Sequence, residues 1–131
     1  MKDGVISERM IVHIPNAVID LPTFSERDEA DIDFGLKNGV DMISVSYLRS
    51  ANCVETLRDI LGARGSHVKI LAKIQSQQAL NNFDEILASA DGIIIARKDL
   101  SLEIPPEKVF IAQKWMIEKA NIAAKPVLTC T

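Results

Sequence analysis

Apolar and polar positions along this chain fall into blocks. The run Gly92–Ala96 (GIIIA) is wholly apolar, and Val68–Ile74 (VKILAKI) has the same plan with Lys73 driven through it. Short apolar runs of this kind suit strands buried on both faces, as in a parallel sheet covered by helices. Val40–Leu48 (VDMISVSYL) reads as a further strand, with Ser44 and Ser46 on one side. VLTCT at the end begins another, and Met10–Ile14, ended by Pro15, reads as a short one. Asn16–Pro22 is an extended linker, because prolines bias their predecessors away from helix.

Between the strands the spacing becomes helical. Ser25 and Asp28 resemble a capping box that opens a helix to about Asn38, closed by Gly39. Asn52 and Glu55 form a similar pair before the stripe Val54, Leu57 and Leu61, which Gly62 stops. Ser76–Ala90 is helical with a break near Asn81–Asn82. Pro105 and Pro106 open the longest helix, to about Ala123, since proline is tolerated in a first turn. Val109, Ala112, Met116 and Ala120 mark its buried face, Gln113 intrudes, and Trp115 falls outside the stripe. Strand and helix thus alternate four times with short links, the pattern of βα units around a parallel sheet. The expected class is α/β.

Composition narrows the function. A chain of 131 residues is one domain's worth, and its net charge of −3 shows no basic excess for nucleic acid or an anionic membrane. Apolar runs fall short of the roughly 18 residues of a spanning helix, and MKDGVISERM lacks the apolar centre of a signal peptide. The cytosol is the expected location. Cys53 and Cys130 are not spaced as a metal or redox pair and read as reduced thiols. His13 and His67 have no neighbours suggesting zinc or a triad.

Chemistry is concentrated at two strand ends. Arg97, Lys98 and Asp99 follow the 92–96 run at once, and Lys73 lies near the end of the strand before it. Barrels of the α/β type place their active groups at carboxyl ends. Two such ends a helix apart predict a site for a small anionic ligand. A single lysine there is ordinarily a snorkelling surface residue.

The segments LPTFSERD, VDMISVSYLR, VKILAKIQS, DGIIIARKDLSLEIPPEKVFIAQKWMI and KPVLTCT are together very similar to the pyruvate kinase family, in order and spacing, from about Gly4 onward. The resemblance implies a partial (β/α)8 TIM barrel, covering the fourth to the beginning of the seventh unit. Residues 1–20 would be the tail of an inserted lid domain with its return linker, and 21–131 the partial barrel. It also implies the family reaction, phosphoryl transfer from phosphoenolpyruvate to ADP giving pyruvate and ATP. That reaction uses Mg²⁺ or Mn²⁺ and K⁺, in enzymes that are typically homotetrameric. The nucleotide and K⁺ sites would lie mainly outside this chain.

Residue by residue, the resemblance makes Lys73 the catalytic lysine and Thr131 the threonine beside the substrate's methylene carbon. Asp99 and Gln75 match the metal positions, and Lys98 and Ser46 line the substrate site. The family reads Lys-Ile-Glu where this chain has Gln75, so one carboxylate remains and weaker metal binding is expected. Lys98 stands where the family has the first glycine of Arg-Gly-Asp-Leu-Gly, and adds bulk where backbone N–H groups approach an anion. Ala124 replaces a usual glycine. Activity is therefore expected to be weak or absent in this chain. Two other readings stand beside it: a non-catalytic diverged paralogue or fragment, and a metal-dependent aldolase or lyase acting on pyruvate enolates, which QQALNNFDEILASADGIII also resembles.

Overall fold

The computed structural model describes residues 4, 5, 7–10, 14 and 22–131. The strand expected at 10–14, the linker after it and His13 fall largely outside those residues. Helix α1 (Glu26–Lys37) leads to β1 (Met42–Val45), α2 (Ala51–Leu61) and β2 (Lys69–Ile74). Two short helices follow, α3 (Gln77–Asn81) and α4 (Phe83–Ser89), and then β3 (Gly92–Ala96). After it come α5 (Arg97–Glu103), α6 (Val109–Ile122) and β4 (Val127–Cys130). The four strands pair in chain order, β1-β2-β3-β4, and every pair is parallel. This is an α/β arc of the kind that closes into a barrel when more units are added.

The two faces of the sheet differ. Ile70, Ala72 and Ile74 of β2 are fully buried, whereas Lys69 is exposed and Leu71 and Lys73 are half-buried. Strand side chains alternate between faces, so one face packs under the helices and the other is more open. Leu57, Phe83, Ile86, Ile93, Ile95 and Met116 fill the space between sheet and helices. In β3 the double burial expected from its isoleucines is nearly complete. Gly92 is needed there: a Cβ would meet Leu71 Cδ2 at 2.8 Å and Pro126 Cγ at 2.9 Å.

Several element ends differ from the sequence expectation. The strand expected over 40–48 is only four residues long, because Tyr47 takes a left-handed φ of 55° and breaks the ladder. Helix α2 is capped by Ser50 in extended conformation, which puts Asn52 inside the first turn rather than at the cap. The double proline opens a single tight turn, Pro106–Lys108, and the α-helix begins only at Val109. Neither proline has an N–H to give to a helical ladder. The Ser25–Asp28 capping box is formed in both directions, and the break at Asn82 separates α3 from α4. Trp115 lies outside the buried stripe but packs on Phe83, ring centroids 5.0 Å apart, with Lys119 Nζ 4.5 Å from its ring centre. Among the described residues no helix is long and apolar enough to cross a membrane.

The amino ends of the strands are tied by polar contacts. Asp91 accepts from the backbone N–H of Ile70 and from Arg58, whose guanidinium also reaches Val68 O at 2.8 Å. Lys125 Nζ donates to the carbonyls of Leu87, Ala88 and Ala90 at 2.6, 2.7 and 2.8 Å, a cation placed at the negative end of α4. Its neighbour Ala124 has φ 53°, the left-handed conformation that a glycine adopts without strain.

Two predictions arise. Ala124→Gly should raise the unfolding free energy by up to about 1 kcal/mol, read as a higher urea midpoint at unchanged slope; an unchanged midpoint refutes strain at this position. Burial opposes ionisation of Asp91, but its bonds from Ile70 and Arg58 outweigh burial and hold its pKa below the usual carboxylate value. The stability this contributes is present above the unfolded pKa, about 3.9, and is lost as pH falls through the lower folded value. Asp91→Asn should therefore flatten the acid limb of the stability–pH curve below about pH 4. A limb as steep as in the unsubstituted chain would refute this.

Candidate active site

Because the four strands run the same way, the residues that follow them collect at one rim. Lys73 is the penultimate residue of β2, in register with Ile94 of β3 and on the face turned from the helices. Gln75 lies just beyond the same strand and is 5% exposed. Asp99 is in the first turn of α5, which starts directly from β3, and is half-buried. Ser46 follows β1 and Thr131 follows β4; both are exposed. Lys73 and Asp99 thus stand at the carboxyl ends of neighbouring parallel strands, β2 and β3.

Two groups of these residues come together. Gln75 Nε2 donates to Asp99 Oδ2 at 2.6 Å, and Gln75 Oε1 accepts from the backbone N–H of Tyr47 at 2.8 Å. Separately, Lys98 and Thr131 line an open groove of about 470 Å³ with Arg97, Ser101, Phe110 and Gln113. Arg97 and Lys98 are both exposed, so this end of the groove is positively charged. Ser46 and Lys73 are on the rim but not among the residues that line the groove.

Other bonds at this end link one βα unit to the next. Asn82 Nδ2 donates to Arg49 O at 2.8 Å, and the backbone N–H of Gln77 donates to Glu103 Oε2 at 3.3 Å. The rim is thereby a connected polar layer over an apolar core.

Hard cations in proteins take oxygen ligands, carboxylates above all. Here the amide oxygen of Gln75 is taken by Tyr47, and its N–H group rather than a lone pair points at the Asp99 carboxylate. Among the described residues no three of His, Cys, Asp and Glu converge as a metal-binding group. As arranged, the pair does not fit a divalent ion.

Sequence reasoning missed Tyr47, α5 and the groove residues Ser101, Phe110 and Gln113. A left-handed tyrosine leaves no mark in composition. The start of α5 is hidden because an apolar strand runs into charged residues with no cap between them: Ala96, at the boundary, offers no side-chain bond.

Parallel strands paired in chain order, helices on one face and ionisable groups gathered at the carboxyl rim define an α/β protein of the barrel class. Its sequence matches the barrel domain of pyruvate kinase over residues 1–131. It is 52% identical over 129 residues to pyruvate kinase of Schizosaccharomyces pombe, covering 98% of this chain and 25% of the relative. It is 50% identical over 129 residues to that of Hypocrea jecorina, covering 98% and 24%, and 48% identical over 132 residues to that of Eimeria tenella, covering 100% and 25%. The chain belongs to the pyruvate kinase family. It spans about a quarter of the length of the curated relatives it matches.

Proposed function

We propose that residues 21–131 form the fourth to seventh units of a pyruvate kinase barrel, with 1–20 the end of an inserted lid domain and its linker. The rim then serves phosphoryl transfer from phosphoenolpyruvate to ADP, in the cytosol. What supports this reading is that Lys73, Asp99 and Thr131 follow or end three successive parallel strands at one edge. Such a transfer demands little covalent chemistry from the protein. Catalysis rests on positioning and on fixed positive charge where charge builds in the transition state.

Lys73 supplies that charge to the transferring group. Thr131 stands beside the methylene carbon that gains a proton, while Lys98, Asp99 and Ser46 line the substrate's side of the site. The family's Mg²⁺ or Mn²⁺ and K⁺ belong to the reaction of the complete barrel. At this rim a divalent ion meets one carboxylate and an N–H donor. That observation also favours a second reading, in which the chain is a diverged, non-catalytic family member. Both predict little turnover by this chain alone.

The purified chain should form ATP from phosphoenolpyruvate and ADP only near background in a coupled assay, and robust formation overturns this. Phosphoenolpyruvate binding by calorimetry separates the readings. If the rim keeps its substrate site, Lys73→Met weakens binding about tenfold or more, since a bond to a charged group contributes about 1.5–3 kcal/mol. Binding that ignores Lys73 leaves the non-catalytic reading.

Among the described residues the sheet also has two open edges, β1 and β4, with Met42 58% and Leu128 49% exposed on its uncovered face. Unpaired strand edges are templates for further pairing. We expect the isolated chain to self-associate or to be poorly stable. In sedimentation velocity the weight-average mass should rise with concentration, and a compact monomer that melts cooperatively refutes this.

A further inference from the structure

Gln75 is nearly buried, yet both ends of its amide are satisfied. Oε1 accepts from the Tyr47 N–H at 2.8 Å, and Nε2 donates to Asp99 Oδ2 at 2.6 Å. The partners dictate which way the amide faces. Turned over, it would set an oxygen 2.6 Å from a carboxylate oxygen and an NH₂ group against another N–H. The bonds join three consecutive βα units: the turn after β1, the end of β2 and the first turn of α5. Tyr47, which presents the N–H, is held at φ 55°, a conformation that bulky residues rarely adopt without support from their surroundings.

We infer that the Gln75 amide is a metal-independent clasp. It is a neutral cross-link that holds the rim together without a cation, and it disposes Asp99 against taking one. A divalent ion placed between Gln75 and Asp99 meets a hydrogen where it needs a lone pair. To take both side chains as ligands, it must break a hydrogen bond to a charged acceptor and reverse an amide already fixed by Tyr47. This inference does not use the phosphoryl-transfer reading. Its test accordingly reads stability and metal uptake rather than turnover.

The experiment is thermal unfolding of the purified chain in EDTA and in millimolar Mn²⁺, with Mn²⁺ uptake followed by paramagnetic resonance of the free ion. The unsubstituted chain should melt at the same temperature in both solutions. Gln75→Glu sets two carboxylates in contact. It should melt lower in EDTA, recover in Mn²⁺ and bind the ion at least about tenfold more tightly than the unsubstituted chain. Asp99→Asn keeps an acceptor oxygen for the amide and should lower the midpoint only slightly, whereas Asp99→Leu leaves the amide unpaired and should lower it clearly further. If Gln75→Glu yields no folded protein, the two Asp99 variants decide. A midpoint of the unsubstituted chain that rises with Mn²⁺, an Mn²⁺ affinity equal to that of Gln75→Glu, or an Asp99→Leu variant as stable as the parent overturns the inference.

Discussion

Because β1 to β4 pair in parallel and in chain order, the four segments that follow them all leave the sheet on the same side. Every contact at the rim depends on that constraint. Parallel neighbours need a crossover of a dozen or more residues, and the helices that supply it cover one face. The remaining freedom of the chain is confined to the few residues after each strand. Tyr47, Gln75, Asp99 and Thr131, spread over some two-thirds of the sequence, therefore gather on one edge of a single layer.

The two ends of the sheet are built differently. At the amino ends, ionic contacts serve cohesion: Arg58 reaches both Val68 and Asp91, and Lys69 Nζ lies 3.7 Å from Asp91 Oδ1. At the carboxyl ends, the positive residues Arg97 and Lys98 remain exposed, and the carboxylate of Asp99 is bonded to a neutral amide. Cohesion is thus carried at one end by opposite charges and at the other by a glutamine. The second arrangement leaves the negative charge of Asp99 in place at the rim, because the amide donates to the carboxylate without bringing charge of its own.

Much of the fold was legible in the sequence, and particular residues show why. The isoleucines of 92–96 mark a strand because β-branched side chains suit a pleated surface covered on both sides. Ser25 with Asp28 marks a helix start because both halves of the cap lie within four residues. The interruption at Asn82 was likewise visible as a local feature, whereas the left-handed backbone at Ala124 was suggested only by the family's usual glycine there. Where the expectation failed, a distant partner or a steric choice decided: Tyr47 cut the first strand short, and Pro105 with Pro106 delayed α6 by a turn.

By itself, the sequence determined the class, the alternation of strands with helices and the membership of a family. These rest on local periodicity and on motifs of a few residues, both carried in the order of the letters. Only the tertiary structure decided that Gln75 turns its N–H toward Asp99 and its oxygen toward Tyr47. Its partners stand 24 and 28 residues away along the chain, and nothing local distinguishes the two faces of an amide. That choice appears only when parallel pairing brings the three strand ends within hydrogen-bonding reach.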